Sequence, residues 1–330
     1  LSEYYQSDQS IQHNGSGDQD PSLTPRWQAA EPVVQVPVAF VTPVEQLDRK
    51  VPGFAQMFLV MFLFLIVSGF ISGIVALACV LWGMYTGADL TGMGAGQGTA
   101  LLWATAAGNT IGALVCLLMG KVWSGRSWSE ILPFKRVNLW SLLPLTMAVA
   151  GLSILLSEVD NLLQHVMPMP QFLLEMMGDM VMSGFLSFIL LVLVAPWTEE
   201  LIFRGFVFNG FRKRYQPRNA VILSALGFSI LHLNPYQLFG TFVLGLLLGW
   251  VRLRTGSLWP CIFLHAVFNG LVFVVLVLPV EIPGYNLSGV HRFQPWWFDA
   301  AGAGLALGGF YAAWRLMLVR PRTGTVHDRW

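Results

Sequence analysis

The sequence predicts an all-α fold: a polytopic membrane helix bundle of about eight transmembrane helices, preceded by a disordered N-terminal tail. Three observations carry this. Of 330 residues, 55% are hydrophobic and only 11% are charged, against about 25% charged in a soluble domain. Apolar runs near the length of about 20 residues needed to cross a bilayer recur along the chain. The basic residues also segregate between alternate loops, as the positive-inside rule requires. The net charge of +1 excludes a nucleic-acid binder that works by bulk electrostatics.

Residues 1–50 are rich in Ser, Gln, Asp, Asn and Pro and lack an apolar period. They read as a disordered cytoplasmic tail. No basic stretch followed by a short apolar core opens the chain, so a cleaved signal peptide is not expected. Glu31–Phe40 looks extended and reads as linker. Residues 51–330 form the transmembrane domain. Eight spans are predicted, at 54–82, 99–119, 139–157, 181–211, 219–233, 237–251, 257–279 and 299–319. The fifth and sixth are short, and Pro235 separates them by disfavouring helix at Asn234.

With the N-terminus inside, all of the 19 Lys and Arg except Arg292 fall on or near the cytoplasmic side. The outer loop 158–180 carries Glu158, Asp160, Glu175 and Asp179 and no basic residue. Both termini are therefore expected in the cytoplasm, in a multi-pass integral membrane protein whose direct partner is lipid. The glycine-rich segment Thr91–Gly98 has no preceding strand and reads as a flexible turn rather than a phosphate loop. Gly245 and Gly249 form a Gly-x-x-x-Gly pair, which predicts a close helix–helix contact. Trp residues near span ends, such as Trp140, Trp259 and Trp296, read as interfacial anchors. The three cysteines, Cys79, Cys116 and Cys261, lie in apolar runs, so no disulfide framework is expected.

The costly feature is a pair of carboxylates, Glu199 and Glu200, at the end of the apolar run Ser183–Thr198. Ionisable residues inside a membrane usually face a bundle interior and mark function. Arg204, His232, His265 and Asn269 follow in later turns and spans. At 1.5 Å of rise per residue, Glu199 lies about 18 Å from the inner end of its span, His232 about 19 Å and His265 about 13 Å. Three spans thus bring polar groups to one layer. Glu200 and Arg204 are four apart, where an ion pair can form. His265 and Asn269 are also four apart and share a face. A carboxylate beside an imidazole can activate water as general base. A second imidazole and an amide can donate to a developing oxyanion. A single intramembrane His or Asn is more often an interhelical hydrogen-bonding residue; the matched depth of the set favours a site.

The same residues resemble the motifs of the CPBP intramembrane proteases, the family of CAAX prenyl endopeptidases and of bacteriocin-processing and self-immunity (Abi-like) proteins. Glu199-Glu200-Leu-Ile-Phe-Arg204 is similar to EExxxR, Phe228-Ser-Ile-Leu-His232 to FxxxH, and His265-Ala-Val-Phe-Asn269 to Hxxx(N/D). The resemblance covers about residues 140–280. It implies an intramembrane endopeptidase acting on a peptide or membrane-anchored protein. Glu199 would be the base with His232 as its partner, His265 and Asn269 the oxyanion hole, and Glu200 and Arg204 supporting residues. The family has been described both as metal-dependent and as glutamate-dependent. No cofactor is required by the preferred glutamate reading; zinc, if present, would be held by Glu199, His232 and His265. The bacterial members suggest the inner membrane as location. Two other readings compete: a non-catalytic immunity or adaptor protein of the same fold, and a proton-coupled transporter. The full motif set favours the enzyme over the first, and the lack of an internal repeat weighs against the second.

Overall fold

The computed structural model describes residues 54–86, 95–182, 184–277, 282–285 and 292–318. The expectations for the tail 1–50 and for residues 91–94 lie outside them, while residues 95–98 open a helix rather than a turn. Every regular element among the described residues is helical. In chain order these are α1 (Phe54–Thr86), α2 (Ala95–Ser124), the single turn α3 (Trp128–Ile131), α4 (Leu142–Val166) and α5 (Gln171–Met182). A continuous helical run, α6 (Phe185–Arg214), follows. The remaining helices are α7 (Pro217–Ile230), α8 (Pro235–Thr255), α9 (Trp259–Val277) and α10 (Trp296–Leu318).

Six helical segments are long and apolar enough to cross a membrane: Phe54–Thr86, Leu102–Ser124, Leu139–Val166, Phe185–Arg214, Pro235–Thr255 and Trp259–Val277. The protein is an integral membrane protein. Two of the eight predicted spans fall short for different reasons. α7 has 14 residues, or about 21 Å of rise against a hydrocarbon core of about 30 Å. α10 is long enough, at 23 residues, but is Ala- and Gly-rich, carries Asp299 and Arg315, and is not among the six. The fourth predicted span also starts late. Val181 and Met182 end α5, and Gly184, at φ 53°, turns the chain before α6 begins at Phe185. The acidic segment 158–180 is largely helical, taking up the end of α4 and most of α5.

Local sequence explains the ends that frame the site. Asn234 caps α8 by accepting a hydrogen bond from the Tyr236 amide at 3.1 Å, and Pro235 occupies the first turn, where its missing N–H costs nothing. At the other end Gly256 takes the left-handed conformation, φ 65°, that stops α8 and turns the chain into α9.

Small residues set the helix pairs. α1 packs on α2, α4 on α10 and α7 on α8. A Cβ on Gly245 would lie 3.0 Å from Ala225, and one on Gly249 3.1 Å from Val221, so the Gly-x-x-x-Gly pair does seat α8 against α7. The α4–α10 contact is tighter still. A Cβ on Gly151 would sit 2.3 Å from both the Ala306 nitrogen and the Gly302 carbonyl oxygen. Backbone cannot rotate away, so Gly151→Val is expected to part these helices and cost about 1–3 kcal/mol. Gly304, with nothing within 4 Å of its Cβ position, is the control. Thermal unfolding in detergent should show a lower midpoint for Gly151→Val and no loss for Gly304→Ala; equal midpoints would contradict the packing.

Two apolar clusters result. One joins Met57 and Val60 of α1, Cys116 of α2, Phe203 and Val207 of α6, and Phe228 of α7. The other joins Leu145 of α4, Leu244 and Leu248 of α8, and Cys261 and Leu264 of α9. The polar residues of α6 and α9 meet between them. All three cysteines are free thiols.

Candidate active site

α6 is not a uniform helix. Ile189–Val194 and Leu201–Val207 are π-helical, and the α-helical turn Ala195–Glu200 lies between them. The wider pattern is explicit in the backbone: the Ala195 amide donates to the Leu190 carbonyl and the Phe208 amide to the Phe203 carbonyl. Such insertions recur at functional sites because they re-aim side chains on an otherwise regular helix. Here they flank the twin glutamates, and Arg204 sits within the second.

Glu200 and Arg204 are both fully buried. Arg204 Nη1 donates to Glu200 Oε1 at 2.7 Å, and Nη2 donates to the Gly245 carbonyl at 3.2 Å. The guanidinium carbon also lies 4.5 Å from the centre of the Phe228 ring, a cation–π contact in an apolar setting. His265 Nδ1 donates to the same Glu200 oxygen at 2.9 Å. Two donors from α6 and α9 thus share one carboxylate oxygen, which offsets the cost of holding the ion pair inside the bundle. Glu200 Oε2 is buried and has no hydrogen-bond partner.

A carboxylate can only accept, so His265 carries a proton on Nδ1. Its other nitrogen, Nε2, faces Glu199 Oε2 at 3.7 Å, too long for a hydrogen bond. Glu199 is less enclosed than Glu200, with 20% of its side chain exposed, and its Oε2 has no hydrogen-bond partner. The twin carboxylates therefore differ: Glu200 is committed to Arg204 and His265, while Glu199 keeps an uncommitted oxygen beside an imidazole.

His232 lies just past the end of α7, in a turn rather than within a span. Its Nδ1 donates to the Phe228 carbonyl at 2.8 Å, and Nε2 has no hydrogen bond among the described residues. Leu233 follows with φ 50°, a left-handed conformation that is strained for a branched side chain. Among the described residues Glu199 and His232 form no hydrogen bond or ion pair; the imidazole against Glu199 is that of His265. His232 and His265 instead flank one buried ring, with centroids 4.9 Å and 5.6 Å from that of Phe228. Asn269, one turn beyond His265, donates from Nδ2 to the Leu191 carbonyl at 2.8 Å in the first π-helical segment. Its amide makes no hydrogen bond to either glutamate.

The six residues singled out from sequence thus fall into a contiguous core of Glu199, Glu200, Arg204 and His265, with His232 joined through Phe228 and Asn269 reaching back to α6. Among the described residues no three His, Cys, Asp or Glu side chains are arranged to hold a metal ion.

Sequence reasoning missed the Gly245 carbonyl and Arg252. The latter reads as a cytoplasmic-end cation but is only 6% exposed. Gly245, Gly249 and Arg252 recur at the spacing of one helix face, a signal that Arg252 points where the glycines pack.

Among the described residues the protein is an all-helical membrane bundle with a buried carboxylate–imidazole–guanidinium cluster. Residues 181–271 match the family described as Type II CAAX prenyl endopeptidase Rce1-like, and all six candidate residues fall inside that match. The chain is also similar to a putative membrane peptidase, YdiL, of Bacillus subtilis (strain 168), with 28% identity over 103 residues. That alignment takes in 31% of this chain and 42% of the relative, so the chain spans about two fifths of the length of the curated relative it matches. No solved structure matches the chain.

Proposed function

We propose that the protein is an intramembrane endopeptidase that hydrolyses a peptide bond of a membrane-associated peptide or protein, with Glu199 as general base. The observation that carries this is the unequal environment of the twin glutamates. One carboxylate is fully buried and held through Oε1 by Arg204 and His265; the other is 20% exposed, is held by neither, and has Oε2 3.7 Å from His265 Nε2. Glu199 takes a proton from the attacking water, which His232 Nε2 helps to hold. The tetrahedral oxyanion then accepts hydrogen bonds from the Asn269 amide, whose second N–H is not used on Leu191, and from the Nε2–H of His265, whose imidazole enters and leaves the step protonated on both nitrogens. Glu200 stabilises that imidazolium through Nδ1, and Arg204 holds Glu200 in place. The base finally returns its proton to the leaving amine.

The reading requires no metal. In the cell it places the chain in the bacterial inner membrane with both termini cytoplasmic and the site open toward the cytoplasm, as the distribution of basic residues suggests.

The test uses the full chain in detergent with two quenched fluorescent peptides, one ending in a farnesylated Cys-aliphatic-aliphatic-X motif and the same peptide without lipid. Cleavage of at least one is expected, with loss on the order of 10²-fold or more in His232→Ala. It should persist after exhaustive chelation in protein free of stoichiometric zinc. Activity lost on chelation and restored by zinc would overturn the metal-free mechanism. Cleavage by His232→Ala at the parent rate would overturn the role of His232.

A further inference from the structure

We propose that Arg252 is a positioning residue of the site, gripping the backbone of the π-helical turn that aims Arg204 at Glu200. The inference rests on the protease reading for its kinetic consequence but not for its structural one. Arg252 lies on α8, is 6% exposed and has no carboxylate partner among the described residues. A buried cation without a counter-ion is expensive, so its retained contacts need an explanation. Those contacts are specific. Nε donates to the Arg204 carbonyl at 3.1 Å and Nη2 to Asn209 Oδ1 at 2.9 Å, with the guanidinium carbon 5.7 Å from the Phe208 ring centre.

The fork therefore spans both sides of the junction where the π-helical segment Leu201–Val207 returns to α-helix. Asn209 is in turn held from outside α6, donating to the Ile131 carbonyl at 3.0 Å and the Glu130 carbonyl at 3.2 Å. A chain of bonds runs from α3 through Asn209 and Arg252 to the main chain of Arg204, and on through its side chain to Glu200 and His265. α8 grips Arg204 twice, by Arg252 on its carbonyl and by the Gly245 carbonyl on its guanidinium. Lysine cannot reproduce the grip, because it has no planar fork with which to reach two acceptors.

The experiment uses the full chain in detergent, with Arg252→Met, Arg252→Lys and Asn209→Ala, assayed on the farnesylated quenched peptide and by thermal unfolding. Arg252→Met is expected to lower kcat on the order of 10- to 100-fold, with KM changed less than about twofold because substrate contacts remain. Arg252→Lys should recover little of this, and Asn209→Ala should lower kcat in the same sense. Independently, Arg204→Met and Arg252→Met should be non-additive in the unfolding midpoint, the double variant losing less than the sum. Parent kcat in folded Arg252→Met while Glu199→Ala is inactive, or full additivity, would overturn the proposal. If the parent chain cleaves neither peptide, the protease reading fails and the unfolding cycle alone decides whether Arg252 holds Arg204.

Discussion

Glu199→Ala is expected to abolish cleavage while leaving the protein folded. Loss of a general base costs on the order of 10²–10⁴-fold. The structure gives a reason for the second half of the expectation. Glu199 is the more exposed of the two glutamates, makes no hydrogen bond through Oε2, and approaches His265 only to 3.7 Å. Little native-state energy depends on it, so the unfolding midpoint in detergent should stay near that of the parent. Glu199→Gln should be equally inactive, since an amide of the same shape cannot take the proton. Rates of cleavage of the quenched peptides, measured beside unfolding curves, separate the two effects. Turnover at the parent rate in either variant would remove Glu199 from the chemistry, and inactivity accompanied by gross unfolding would make its role structural.

Arg204→Met should do the reverse and act first on stability. The substitution leaves the fully buried Glu200 carboxylate without its charge partner, opens the hydrogen bond to Gly245 and removes the cation from the Phe228 ring. Breaking one side of a buried ion pair costs about 3–5 kcal/mol. The double variant Glu200→Gln with Arg204→Met should lose less than Arg204→Met alone, because no uncompensated charge remains. Comparison of unfolding midpoints for the two variants checks this. A single variant as stable as the parent would mean that His265 alone satisfies Glu200.

The membrane fold was legible because bilayer crossing leaves a coarse mark: long apolar runs and segregated basic residues. The boundaries were less so. α7 stops after Ile230, short of a full crossing, because Leu231–Asn234 turn the chain through a left-handed Leu233. Pro235 announces a break at Asn234, but nothing in the sequence places the turn as early as Leu231. The break between α5 and α6 likewise depends on the positive φ of Gly184. The pairing of Glu200 with Arg204 was readable from i, i+4 spacing. The partner of Glu199 was not. Helical depth put both imidazoles near it, but depth says nothing of rotation about the helix axis, and His265 rather than His232 is the one that faces it.

By itself, the sequence determined the class of solvent, the helical architecture, the six polar residues worth asking about and the family resemblance that 181–271 carries. The first three follow from composition, period and spacing along one chain, and the resemblance rests on the three motifs. Only the tertiary structure decided how the twin glutamates divide. Glu200 is held by Arg204 of α6 and by His265 of α9, and the two π-helical segments set the angle at which each glutamate leaves α6. Buried charges are stabilised or left free by partners far away in sequence. So Glu200 is locked by Arg204 and His265 and Glu199 is not, a distinction that adjacency in the chain could not reveal.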